Sequence, residues 1–198
     1  MGRFVLKDTF FLKAKREGYR ARSAYKLIEI QKRYNVLRRG DKALDLGCAP
    51  GGFLQVIREI VGDEGLVVGI DILDTRPFSE RNVIIKKADL FDINVQDLMN
   101  ELGISYFDVI TSDISPNITG IKESDEENLK RVYEATKEIV TKALRKGGNL
   151  IYKSFFTEEF GKQRKDLSSI FKEVIVFKPQ ASRRTSSEIY LVCRKKIV

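Results

Sequence analysis

Three glycines in the run Asp45-Leu46-Gly47-Cys48-Ala49-Pro50-Gly51-Gly52-Phe53 mark a turn where the backbone can come close to a ligand, because a residue without a Cβ leaves that space open. The run follows the apolar stretch KALDL and precedes a helical pattern, the setting of a nucleotide-type loop between a strand and a helix. Asp71 closes the next apolar stretch, 19 residues past Gly52, about where a carboxylate accepts hydrogen bonds from ribose hydroxyls, and Asp89 closes the third. The glycines do not spell G-x-G-x-x-G, the pattern that sets a pyrophosphate on a helix amino terminus. Asp45, two residues before the first glycine, adds negative charge that suits a cationic ligand better than a phosphate. S-adenosylmethionine, with its ammonium and its sulfonium, is such a ligand. A nicotinamide dinucleotide is the rival cofactor, and aspartates that merely cap helices are the plainer alternative.

A second set of residues has the types needed to move a proton. Asp113 follows FDVITS and precedes Pro116 and Asn117, so it projects from a strand end. Lys153 interrupts NLIYKSFF, a stretch apolar enough to be covered on both faces, and a lysine buried there is costly unless paired. Asp113 on the neighbouring strand is the expected partner; a lysine snorkelling from the strand end is the alternative. Lys26 falls in the first turn of a helix that Ser23 is placed to cap, where the helix dipole disfavours a cation by roughly 0.3 to 1 kcal/mol. Glu188 stands among Arg183, Arg184, Ser186 and Ser187 and is unremarkable by itself. The chain has no histidine, so proton chemistry near neutral pH falls to carboxylates, lysines, tyrosines or water.

The elements that must position these residues alternate. KALDLG, GLVVGID, NVIIKKAD, FDVITSD, NLIYKSFF, EVIVFKP and SSEIYLVCRKK read as strands. Between them lie helical patterns from Gly52 to Val61, near 94–102, near 125–146 and near 157–170. The third is opened by Ser124 with Glu127 as a capping box, buries a stripe from Leu129 to Leu144, and is closed by Gly147 and Gly148. Short continuous apolar strands separated by helices predict an α/β fold with a largely parallel sheet covered on both faces. Ligands bind beyond the carboxyl ends of such strands, where the polar residues above cluster.

Composition limits the partners. The 198 residues suit one domain over 1–198, with a basic arm at 1–22 and a core at 23–198. Cys48 and Cys193 are too few for a disulfide framework or a four-cysteine zinc site, and neither disulfide nor metal is expected. No apolar run nears the ~20 residues that cross a bilayer and no apolar signal core opens the chain, so no membrane partner and a cytoplasmic location are expected. The net charge of +8 is concentrated at the ends: residues 1–26 hold eight basic side chains against two acidic, and residues 178–198 six against Glu188. Two basic ends around a mildly acidic body suit a polyanion, nucleic acid first; basic ends that only aid solubility are the alternative.

Taken in order, RARSAYKLIEI, LDLGCAPGGF, SDISPN, IYKSF and KPQASRRTSSEIYLVC resemble the FtsJ-like (RrmJ-like) 2′-O-ribose methyltransferases of ribosomal and transfer RNA, over about Arg20 to Arg194. The resemblance implies a Rossmann-like S-adenosylmethionine-dependent methyltransferase fold, with a seven-stranded, mostly parallel sheet whose last strand is antiparallel. It implies a catalytic set of Lys26, Asp113, Lys153 and Glu188. Cofactor contacts are implied from Asp45, the Gly47 to Phe53 loop (Gly47, Cys48, Ala49, Pro50, Gly51, Gly52, Phe53), Asp71 with Ile72, Asp89 with Leu90, and Asp113. Phe53 departs from the tryptophan often found there, and altered packing with retained binding is expected; Cys48 occupies a position often filled by a small residue and is expected to serve packing. Arg16, Arg20, Arg22, Arg183 and Arg184 are expected to hold RNA phosphates, positioning more than reading sequence, while Tyr19 and Tyr25 are expected to pack against the domain, stacking on bases being the alternative. Lys153 lies closest to the proton transfer, either as the base or as a protonated group that orients the hydroxyl and holds oxyanion charge. A uridine of large-subunit ribosomal RNA is the expected substrate, with the transfer RNA anticodon loop as the alternative. An NAD-dependent oxidoreductase and a non-catalytic RNA-binding module are the readings from other classes.

Overall fold

Runs such as LVVGID and FDVITS are too short for stable helices and rich in β-branched residues, which pack well on a pleated surface. In the computed structural model, which describes residues 9–116, 120–157, 159–182 and 186–197, they form the strands expected of them. In chain order the elements are α1 (Thr9–Glu17), α2 (Ala24–Tyr34), β1 (Lys42–Leu46), α3 (Gly52–Val61), β2 (Leu66–Asp71), β3 (Val83–Lys87), α4 (Val95–Glu101), β4 (Phe107–Ser112), α5 (Lys122–Ala143), β5 (Leu144–Phe155), α6 (Glu159–Ile170), β6 (Phe171–Phe177) and β7 (Glu188–Lys196). Seven strands form one sheet in the order β3-β2-β1-β4-β5-β7-β6, with β7 antiparallel to both neighbours and the other pairs parallel. The chain runs outward from β1 through β2 to β3 and then returns to lay β4 on the other side of β1. That reversal opens a crevice beyond the carboxyl ends of β1 and β4.

Each face of the sheet is covered by its own helices. Leu27 and Ile30 of α2 and Leu54, Ile57 and Val61 of α3 pack on Val67, Val109, Ile151, Tyr190 and Val192. On the other face Met99 of α4, Val140 of α5 and Leu167 of α6 cover Leu44, Ile110, Leu150 and Leu191. Alternate residues of β7 therefore face opposite layers, and Glu188 and Tyr190 share the α2–α3 side. Each large apolar side chain buried in these layers stabilises the fold by about 1.5 to 3 kcal/mol.

Within the segment expected as a basic arm lies a helix, α1, whose Ala14 and Phe10 pack with Tyr25 and Tyr19 at the start of the body. Three expectations are corrected. Ser23 is in the helical region and makes no side-chain cap bond, because its hydroxyl lies against Gly52. Helix α5 begins at Lys122, not near 125, so Ser124 and Glu127 lie inside its first turns; Asp125 instead reaches back to accept the Gly120 amide at 3.0 Å. The same helix ends at Ala143, before Gly147. Lys196 of β7 inserts its ammonium beneath it and donates to the carbonyls of Val140, Thr141 and Leu144 at 2.8 to 3.0 Å. A buried cation at the negative end of a helix makes a glycine cap unnecessary.

Candidate active site

Beyond β1, Gly47 adopts a φ of +76°, and a Cβ there would come within 2.5 Å of Ile114, so only glycine lets the loop close against the segment after β4. The loop is tied to the next strand by Asp71, which accepts the Ala49 amide at 2.8 Å through one oxygen and the Leu73 amide at 2.9 Å through the other. Asp89 accepts the Phe91 amide at 3.0 Å. Between these loops and α5 lies a cavity of about 640 Å³, lined among others by Gly47, Ala49, Asp71, Ile72, Asp89, Leu90, Asp113 and Ile114. Three carboxylates and a single cation, Arg131, line it among the described residues, so its field favours a cationic guest.

Other residues of the expected cofactor set do not line that cavity. Asp45 is fully buried under the loop, where it accepts the Thr111 hydroxyl at 2.6 Å; burial, ahead of the nearby Asp113 and Asp71, pushes its carboxyl well above the usual carboxylate range. Its expected role as a charge offered to a cationic ligand is corrected accordingly: the enclosed carboxyl, bonded to Thr111, shapes the loop from below and does not reach the cavity. Cys48 is buried between Gly69 and Thr75, with burial pushing its thiol up to about 12, and it serves packing. Gly51 and Gly52 face residues 20–23, because a Cβ on either would lie 2.9 Å from Arg20 or Ser23. Pro50 points outward and Phe53 inward, stacked on Tyr190 with centroids 6.5 Å apart. The first turn of α3 is thus covered where a dinucleotide would place its pyrophosphate.

Along the same crevice the four expected catalytic residues converge. Lys153 and Tyr190 are paired in register on β5 and β7, with Glu188 two residues before Tyr190 on the same face. Lys153 Nζ donates to the Asp113 carbonyl at 2.9 Å and lies 3.3 Å from Asp113 Oδ1 and 3.9 Å from Glu188 Oε2. Lys26 reaches in from α2 and pairs with Glu188 Oε1 at 2.6 Å. Both lysines are less than a tenth exposed, so each ammonium depends on these partners for the hydration it has lost. The expected pairing of Lys153 with Asp113 is therefore present, and Lys26 at the unfavourable end of its helix is held by Glu188.

Two members of the cluster are absent from the sequence reading. The buried Tyr190 hydroxyl donates to Asp113 Oδ1 at 2.5 Å; burial first, then the charges of Asp113 and Glu188, push its phenol well above its ordinary value, so it remains a donor. Ser182 donates to Glu188 Oε1 at 2.8 Å. The signal for Tyr190 was its spacing of two from Glu188 in EIYLVC, which puts both on one face of a strand. Ser182 had no such signal.

The basic residues fare differently. Arg16 is exposed beside Glu17. Arg20 lies over the Phe78 ring at 3.8 Å and donates to the carbonyls of Arg76 and Pro77, while Arg22 donates to the Ala181 carbonyl. Arg20 and Arg22 thus fasten the amino-terminal segment to the body. Arg183 and Arg184 lie outside the described residues. Tyr19 and Tyr25 pack edge to face at 5.6 Å, as expected.

A doubly wound sheet with an antiparallel seventh strand, an acidic cavity at its switch point and a lysine–carboxylate cluster beside it define a methyltransferase. The chain belongs to the FtsJ-like methyltransferase family, whose model matches residues 19–196. It is 40% identical over 186 residues to the ribosomal RNA large subunit methyltransferase E of Myxococcus xanthus, covering 94% of this chain and 87% of that protein. The protein of the same description from Methanocaldococcus jannaschii is 35% identical over 195 residues, covering 96% of this chain and 78% of that one. A solved structure described as a ribosomal RNA methyltransferase from Plasmodium falciparum superposes with a TM-score of 0.80 at 28% identity, covering 90% of this chain and 99% of that one. No helix among the described residues is long and apolar enough to cross a membrane.

Proposed function

We propose that this methyltransferase uses S-adenosylmethionine to methylate a ribose 2′-hydroxyl of large-subunit ribosomal RNA, at a uridine, in the cytoplasm, as one catalytic unit spanning the chain. The observation that carries the reading is the convergence of Lys26, Asp113, Lys153 and Glu188 at the edge of the acidic cavity. The cavity fits the donor: Asp71 offers acceptors to ribose hydroxyls, Ile72 and Leu90 offer apolar surface to a purine, and Asp89 an acceptor to its amine. When bound, S-adenosylmethionine supplies an electrophilic methyl on a cationic sulfur.

The chain's own part is to hold the acceptor oxygen and its charge. Three acceptors face Lys153 Nζ, two carboxylates and a main-chain carbonyl, an environment that supports an ammonium. In this reading Lys153 orients the 2′-hydroxyl and stabilises the negative charge that grows on its oxygen as the proton passes to solvent by way of the carboxylates beside it. Asp113 fixes Lys153 and is itself fixed by Tyr190; Glu188 holds Lys26 beside them. Burial of the cluster limits water and strengthens these interactions. DNA has no 2′-hydroxyl, so the acceptor is RNA.

The test is transfer of labelled methyl from S-adenosylmethionine to large ribosomal subunits from cells lacking this protein, with the modified position mapped. One new 2′-O-methylated uridine is expected. Labelling of transfer RNA alone, or of a base atom, would refute the proposal.

A further inference from the structure

A second recess lies beside the catalytic cluster, towards the amino-terminal end of α5 from the donor cavity. It measures about 650 Å³ and is walled by Leu129, Phe155, Phe156 and Ser187, with Lys122, Asp125 and Glu126 of α5 at its rim, Lys122 lying 3.9 Å from Glu126. Its position follows from the sheet. Phe155 is two residues beyond Lys153 on the same face of β5, its ring 5.9 Å from Lys153 Nζ. It pairs in register with Glu188, and the Phe156 amide donates to the Ser187 carbonyl at 3.1 Å. The recess mouth is therefore within the reach of one nucleoside of the ammonium that would hold its sugar oxygen.

Its chemistry selects among the parts of a nucleotide. Phe156 is 58% exposed, although a phenyl ring gains from burial. Phe160 holds the ring edge-on at 5.2 Å and does not cover it. With Lys122 paired to Glu126 and Asp125 holding the Gly120 amide, the described rim offers phosphate no free cluster of cations, whereas a nucleobase brings an uncharged π face that an exposed ring can stack on. Unpaired RNA bases splayed from a strand are commonly held by stacking on aromatic side chains.

We infer that this recess receives the base of the nucleotide being methylated, with Phe156 as its stacking platform; the inference rests on the ribose-methylation reading and adds the base subsite to it. The acceptor is then an unpaired or flipped-out nucleotide, its base turned toward Phe156 while its ribose remains at Lys153.

The test compares the full-length wild type with Phe156→Ala, Phe156→Leu and Phe156→Trp. The probe is unmethylated large ribosomal subunits with labelled S-adenosylmethionine, and donor binding by calorimetry serves as the check on folding. Alanine and leucine should lower kcat/KM for the subunit by about 5- to 150-fold, mostly through KM, the range spanned by loss of one base stack. Tryptophan should retain activity, and donor affinity should be unchanged in every variant. Full activity in Phe156→Leu would show that apolar bulk suffices and would overturn stacking; an unchanged KM in Phe156→Ala would overturn the subsite. If alanine failed to fold, the leucine and tryptophan pair would decide. A wild type that leaves ribose unmethylated would instead remove the underlying reading, a separate outcome.

Discussion

Replacing Tyr190 by phenylalanine removes one oxygen from the centre of the site and little else. The ring remains stacked on Phe53 and beneath Lys26, whose ammonium lies 5.7 Å from its centroid. What is lost is the 2.5 Å hydrogen bond to Asp113 Oδ1, a bond from a fully buried phenol to a charged, partly exposed acceptor. Such bonds contribute about 1.5 to 3 kcal/mol. In a chain of this size each kcal/mol moves the melting temperature by about 2 to 4 °C, so Tyr190→Phe should melt about 3 to 12 °C lower near pH 7. The pH dependence gives a second reading. Burial, with the charges of Asp113 and Glu188, raises the native phenol above its ordinary value of 10.0. The folded state then binds the proton more tightly than the unfolded state, so the contribution is complete below pH 10 and is lost as pH rises through the native value. Thermal melts of both proteins from pH 7 to pH 11.5 should show a gap that narrows above pH 10. Equal melting temperatures at pH 7, or a gap constant across that range, would refute the reasoning.

Asp45→Asn should raise stability at pH 7, because a buried carboxyl whose native pKa is raised is penalised increasingly as pH climbs from its ordinary value of 3.8. Urea midpoints should show the advantage of the variant shrinking towards pH 4. Lys26→Met alone should cost about 3 to 5 kcal/mol by leaving Glu188 buried without its 2.6 Å partner, whereas Lys26→Met with Glu188→Met should recover much of that stability without recovering methyl transfer. Denaturant titration and an RNA methylation assay on the same samples check the split.

Strand positions were legible because an apolar run of five or six residues closed by aspartate has few readings, and α3 was bounded correctly by its glycines. The catalytic lysines were legible because each violates a local rule: Lys153 sits in a buried strand and Lys26 at the wrong end of a helix. Violations of this kind persist where function or a specific partner compensates them. The ends of α5 were not legible, because they depend on Lys196, 52 residues beyond Leu144, and on a side chain that bonds backward to Gly120. Which residues of the basic ends stay free was not legible for a related reason. Sequence counts charges but not their partners, and Arg20, Arg22, Arg194 and Lys196 are engaged with the body of the protein. Asp45 looked like a charge offered to a ligand because burial beneath a loop leaves no mark in a local pattern.

The ion pair between Lys153 and Asp113 bears most weight, and Lys153→Met tests it most directly. Single-turnover methyl transfer to large ribosomal subunits, with S-adenosylmethionine saturating, should be slower by about 10²- to 10⁴-fold. Donor affinity should be unchanged, since Lys153 lies outside the donor cavity. A variant that binds donor and subunit and still transfers methyl at the wild-type rate would contradict the account.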